Sequence, residues 1–298
     1  MKSYKNSKAI KRLTNVIKKH IKFSLMLLII MLVLVAIIGM YVHNSQEKVA
    51  SKYQQTNIPT LFLHGFGSSY HAEQHMVRAA KSAHATNGVI RAEVSKTGKV
   101  TLVGHFRKKV INPIVMVNYQ NNHEKSYRTD GKWLRNVLNK IQQTYHFKKF
   151  NIVSHSVGNE AVMYYMADFA PKHKGLPQLN KEVNIAGHFA GIRGYDAIKH
   201  NSINVQGKPK RMIATYRSLL KLRKTYPKNV SVLNIYGNIG DHSDGRVQNY
   251  SSKSLKYLVG SRAKSYQELE IKGSQAQHSK LHSNPKVDQT LLKFLWEK

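Results

Sequence analysis

A serine, an acid and a histidine stand in this chain, each in a turn or loop after an apolar strand, and together they could cleave an acyl bond. Ser156 lies within F-N-I-V-S-H-S-V-G, residues 150–158, where a β-rich apolar run passes straight into a turn of small residues. Val157, Ala161, Val162, Tyr165 and Met166 then recur at helical spacing. Strand, sharp turn with a central serine, then helix is the setting that lifts a nucleophilic hydroxyl clear of a sheet at a helix N-terminus. Small residues two before and two after the serine let strand and helix approach. Here they are Ser154 and Gly158, so the motif is S-x-S-x-G.

Serine is a weak nucleophile until a base takes its proton and a carboxylate orients that base. Both are offered further along, in loops that follow apolar strands. After Tyr236-Gly237 comes N-I-G-D-H-S-D-G-R-V, which holds Asp241 and Asp244. The S-D-G-x-V context opens a new segment at Asp244 and favours it. After Lys272-Gly273 a loop carries H-S-K-L-H-S-N-P, residues 278–285. His278 comes early enough there for its ring to swing over the serine turn. His282 is closer to Pro285, which opens the last helix, and suits a capping or packing role. An oxyanion also needs donors. The Val157 amide, directly after the serine, is one. The second is expected from H-G-F-G, residues 64–67, where flanking glycines let the Phe66 amide turn inward.

The elements that must hold these loops alternate in type. Pro59 to Leu63 reads as a buried strand, followed by a helix to about Ala83. Val89–Val94 and Val100–Val103, with T-G-K between them, read as a hairpin. Pro113–Tyr119 is a further strand, and Trp133, Leu134, Val137, Leu138 and Ile141 recur with helical period. Val183–Ala186, Val230–Tyr236 and Gln267–Ile271 read as later strands, before a closing helix with Val287, Leu291, Leu292 and Leu295. Such alternation implies an α/β fold: a mostly parallel sheet covered by helices on both faces. Residues 190–228, basic and polar with a helical middle, read as a lid or cap inserted over the edge where ligands bind.

Eight of the 48 Lys and Arg residues fall in residues 1–22, which hold no acid. Residues 23–44 carry no charge and are almost wholly apolar from Leu25 to Val42. About 20 apolar residues span a bilayer as a helix, and the basic flank stays cytoplasmic. The expected organisation is a cytoplasmic segment (1–22), an uncleaved transmembrane anchor (23–44), a polar stalk (45–57) and an extracytoplasmic catalytic domain (58–298). A cleaved signal peptide is the competing reading; its apolar stretch would normally be shorter.

The formal net charge is +33, and the part beyond residue 22 still carries +25. With no nucleic-acid motif beside it, this charge points to anionic lipids or wall polymers rather than to DNA or RNA. Zero cysteines exclude disulfides, thiolate zinc sites and cysteine nucleophiles. His71 and His75 have metal-ligand spacing, but they do not form H-E-x-x-H and lack a third ligand. There is no phosphate-binding or dinucleotide glycine pattern. No metal and no cofactor are expected.

The combination F-L-H-G-F-G, N-I-V-S-H-S-V-G-N, S-D-G-R-V and H-S-K-L-H-S-N-P resembles the α/β-hydrolase superfamily, over about Pro59 to Trp296. It is similar to a family of lipase-like cell-surface hydrolases of Gram-positive bacteria. The resemblance implies the α/β-hydrolase fold, with Ser156 as nucleophile, Asp244 as acid and His278 as base. It also implies an oxyanion hole made by the Phe66 and Val157 amides, and a small-molecule or lipid ester as substrate. That family usually has Gly-His-Ser-Met-Gly at the turn, where this chain has Ser154 and Val157. The rival reading is a catalytically inactive protein of the same fold that binds anionic wall or membrane components.

Overall fold

The computed structural model describes residues 17–37, 48–170 and 175–298. Its strands are β1 (Thr60–Leu63), β2 (Val89–Val94), β3 (Val100–Val103), β4 (Ile114–Tyr119), β5 (Lys149–His155), β6 (Gln178–Ile185), β7 (Ser231–Asn238) and β8 (Ser265–Lys272). They form an eight-stranded sheet in the order β3-β2-β4-β1-β5-β6-β7-β8. The β2–β3 hairpin is antiparallel and every other neighbouring pair is parallel.

Successive side chains of a strand point to opposite faces, and both faces are apolar here. Leu61 and Leu63 of β1 join one core cluster, while Phe62 joins the other. The first cluster lies under α3 (Tyr127–Tyr145), α4 (Val157–Tyr164), α5 (Ala214–Leu219), α6 (Leu222–Thr225) and the segment after α7 (Asn249–Lys253). The second lies under α2 (Gln74–Ser82) and α8 (Pro285–Trp296). Parallel pairing sends the carboxyl end of every strand but β3 to one edge. The loops after β1, β5, β7 and β8, which carry Phe66, Ser156, Asp244 and His278, therefore share that edge.

A separate unit is the helix α1 (Ile17–Ile37), 21 residues long, with a mean hydropathy of 2.5 in its most apolar window and none of that window buried. It is long and apolar enough to cross a membrane. The described helix takes in Ile17 to Lys22 as well as the expected span from residue 23, so Lys18, Lys19 and Lys22 of the basic segment sit on helical turns. Residues 1–16 of the basic segment, 38–44 of the span and 45–47 of the stalk lie outside the described residues.

The expected stalk is corrected. From Val49 onward the chain is docked on the sheet-bearing body, with Val49 and Tyr53 buried in the second core cluster. Ala50 N–H donates to His84 O at 2.9 Å and Gln54 N–H to Trp296 O at 2.7 Å. Two apolar side chains were enough to dock an otherwise polar and largely exposed run.

The insertion is also narrower than expected. Tyr216, Leu219, Leu222 and Tyr226, in the second half of 190–228, belong to the first core cluster. That half is a layer of the fold, and only the half before α5 is free of the helical layer. Strand β6 reaches five residues further back than Val183. Its start, Q-L-N-K-E, reads as polar, yet Glu182 is fully buried. There it accepts from the Tyr226 hydroxyl and the Asn184 amide, each at 2.8 Å.

Candidate active site

At the end of β5 the backbone turns sharply. Ser156 has φ 53° and ψ −122°, a conformation that costs a non-glycine residue energy, and it caps α4. The turn brings α4 hard against β1: a Cβ on Gly158 would lie 2.7 Å from Leu63 O. Ser154, the departure from glycine, is accommodated by a partner. Its hydroxyl donates to Asn159 Oδ1 at 2.8 Å. Asn159 Nδ2 in turn donates to Ser156 O at 2.8 Å and Ile185 O at 2.9 Å. One side chain thus ties the strand before the serine, the serine and the neighbouring strand together.

Ser156 Oγ lies 3.0 Å from His278 Nε2, and His278 Nδ1 lies 2.8 Å from Asp244 Oδ2. A carboxylate only accepts, so Nδ1 carries the ring proton and Nε2 is left to receive one from serine. Asp244 is buried, and its other oxygen accepts from the Arg246 and Val247 amides at 2.9 and 2.7 Å. His278 N–H donates to Asp244 O at 2.9 Å, which fastens the two loops to each other.

The alternatives stand elsewhere. Asp241 is exposed, paired with Arg193 at 3.1 Å and hydrogen-bonded by Ser243 Oγ at 2.6 Å, which holds its carboxyl low. His282 stacks edge-on against His155, with ring centroids 5.0 Å apart. His155 is buried and its Nε2 donates to His278 O at 3.0 Å, so it backs the loop that carries His278. Burial pushes the His155 imidazole well down, and it stays neutral. His71 and His75 turn to different partners, Ser69 at 3.0 Å and Asp288 at 2.8 Å.

Phe66 and Val157 line one small cleft together with Gly65 and Gly158. The Val157 amide is the first of α4, where N–H groups have no intrahelical acceptor. His64 fixes the other side. Its Nε2 accepts from Tyr119 N–H at 3.0 Å, so Nδ1 is the protonated nitrogen and donates to Gly65 O at 2.9 Å. In a trans peptide C=O and N–H point oppositely, so pinning the Gly65 carbonyl also sets the direction of the Phe66 N–H. Burial pushes the His64 imidazole below its usual value, which keeps this tautomer.

Two residues that sequence reasoning missed lie beside this group. Glu160, on α4, and His188, after β6, are both buried, with His188 Nδ1 3.8 Å from Glu160 Oε1. Burial pushes the carboxyl up to about 8 and the imidazole down to about 4. At neutral pH they stand as a neutral pair, too far apart for a hydrogen bond. The available signal was a Glu inside the apolar run of α4.

The described residues form no group of three metal-binding side chains. No curated protein matches the chain. Among solved structures, the lin2722 gene product of Listeria innocua superposes with a TM-score of 0.73 at 25% identity, covering 80% of this chain and 94% of its own. A protein described as a cell surface hydrolase, from Lactobacillus plantarum, superposes with a TM-score of 0.63 at 17% identity, covering 83% of this chain and 91% of its own. The family model for alpha/beta hydrolases of unknown function (DUF915) matches residues 47–298, and the chain belongs to that family.

Proposed function

We propose that this chain is a membrane-anchored serine hydrolase that cleaves carboxylic esters, or related acyl bonds, outside the cell. The observation that carries this reading is the unbroken line Ser156 Oγ, His278, Asp244, with contacts of 3.0 and 2.8 Å behind a strained serine. In this reading His278 Nε2 takes the serine proton as Oγ attacks the ester carbonyl. The Phe66 and Val157 amides hold the oxyanion. The carbon–oxygen bond to the alcohol breaks, and His278 returns the proton to the leaving oxygen. Water, deprotonated by the same histidine, then releases the acid and restores the serine. Asp244 keeps the ring in the required tautomer and balances the imidazolium. All groups come from the chain, so the reaction needs no cofactor.

Residues 191–213 serve as the cover of the site. Arg193 ties this segment to the acid loop through Arg246 O at 3.0 Å and Asp241 at 3.1 Å. Helix α1 anchors the protein, residues 1–22 stay in the cytoplasm, and the positive body associates with anionic lipids or wall polymers. The likeness to a protein described as a cell surface hydrolase agrees with this placement in fold only.

The test is hydrolysis of p-nitrophenyl butyrate by the full chain in detergent. Ser156→Ala and His278→Ala should each lose roughly five to six orders of magnitude in kcat, because the three groups act as a unit. Activity retained in folded Ser156→Ala protein would remove the assignment, and a folded wild-type chain without activity would leave the binding-protein reading.

A further inference from the structure

We infer that Glu160, His188 and the tyrosine-walled cleft beside them form a subsite for an ammonium group in the acyl part of the substrate. This inference rests on the serine-hydrolase reading and names the class of ester it acts on.

Among the described residues, neither carboxyl oxygen of Glu160 nor Nε2 of His188 has a hydrogen-bond partner, although the residues are 1% and 2% exposed. Leaving such groups unsatisfied costs about 1–3 kcal/mol each, more for a charge, so they mark a place where a donor-bearing group is received. Glu160 is four residues after Ser156 and on its helix. Ser156 caps that helix and one helical turn rises about 5.4 Å, which suits a cation about three bonds from the scissile carbon.

The neighbouring cleft has the chemistry of a cation site. Tyr127, Tyr164, Tyr195 and Asp196 line a cleft of about 240 Å³. The Tyr127 ring lies 5.7 Å from the His188 ring and 6.1 Å from that of Tyr164. Tyr195 is the most exposed of the wall residues, at 76%. Aromatic faces attract ammonium ions, and an ammonium beside Glu160 favours the charged form of its carboxyl, which is neutral without it. Lys125 and Arg128 also line the cleft. Of these, Arg128 is paired with Asp168 at 3.1 Å. Half-buried Tyr127 separates the cleft from the buried pair, and its outward rotation would join the two.

Two esters of equal length test this: methyl 3-aminopropanoate, which carries the ammonium, and methyl butanoate, which carries a methyl in its place. With the full chain in detergent, kcat/KM should favour the ammonium ester by at least about tenfold. Glu160→Gln should collapse that ratio toward one. Equal or reversed preference in the wild-type chain would overturn the inference.

Binding supplies a readout independent of turnover. Calorimetric titration of Ser156→Ala protein should show saturable binding of the ammonium ester and much weaker binding of methyl butanoate. Adding Glu160→Gln, or Asp196→Asn at the partly exposed wall should the buried variant not fold, should weaken the ammonium ester by about tenfold. If neither ester is hydrolysed, the catalytic reading fails while this titration still decides the subsite. Absent, equal or variant-insensitive binding overturns the subsite even where hydrolysis proceeds.

Discussion

Ser156 occupies a backbone conformation that few serines tolerate, and Asn159 is the residue that holds it there. Asn159 is fully buried and joins Ser154 Oγ, Ser156 O and Ile185 O. Asn159→Ala leaves those partners unsatisfied and should cost about 2–3 kcal/mol. A denaturant titration checks this. The same variant should slow ester hydrolysis more than Ser154→Ala, which removes only the outermost bond. For the acid, Asp244→Asn should lose roughly four orders of magnitude in kcat, through the wrong histidine tautomer. Asp241→Asn should change it by less than about threefold, since the contact it loses is exposed. A reversed ranking would move the acid to Asp241. That Asp244 rather than Asp241 would meet His278 was legible in the sequence, because the S-D-G-x-V context separates the two aspartates. Glu160 and His188 were not legible. Their meaning depends on burial without partners, which no local spacing encodes.

At the scale of elements, the first turn after β1 and the segment before it do different work. His64 sets the Gly65–Phe66 peptide through its two ring contacts. His64→Ala should therefore reduce kcat by about a hundredfold, the usual loss on disturbing one oxyanion donor. KM should stay within about threefold, whereas a merely structural role would lower thermal stability without this split. The segment 48–57 adds stability instead. Tyr53 is 1% exposed, and Tyr53→Ala should cost about 3–4 kcal/mol with little change in kcat. Thermal melts of the two variants check the contrast. The apolar strands β1, β4, β5 and β7 were readable because their alternation serves two buried faces. The stalk was misread because polar composition stands for exposure only on average. β6 began too late in the sequence reading because buried Glu182 is satisfied by Tyr226, a residue 44 positions away.

For the whole molecule, buried ionisable groups set how stability changes with pH. Burial raises the carboxyls of Glu73, Asp130 and Glu160 to about 8 and that of Glu182 to about 7. The native state then holds protons that the unfolded chain has released above about pH 4.5, so this contribution is lost as pH rises toward 8. His64, His155, His188 and His282 are lowered, so they oppose it below about pH 6.5, where the unfolded chain binds their protons. The urea midpoint should be nearly flat from about pH 5 to 6.5 and fall from there to 8. Glu73→Gln should flatten the fall, and a midpoint rising over the upper range would contradict this balance. The charge asymmetry about α1 sets the orientation. External protease on intact protoplasts should remove the body and leave a short membrane-bound stub, and protection until lysis would reverse the topology.

The central claim is that Ser156 is a nucleophile activated by His278, and covalent capture tests it most directly. The full chain in detergent is treated with a fluorophosphonate, and the adduct is located by peptide mass mapping. Phosphorus should become bonded to Ser156 Oγ with loss of fluoride, once per chain. Labelling should be absent in Ser156→Ala and at least about a thousandfold slower in His278→Ala. An unlabelled wild-type chain, or an adduct on another residue that persists in Ser156→Ala, would contradict the claim.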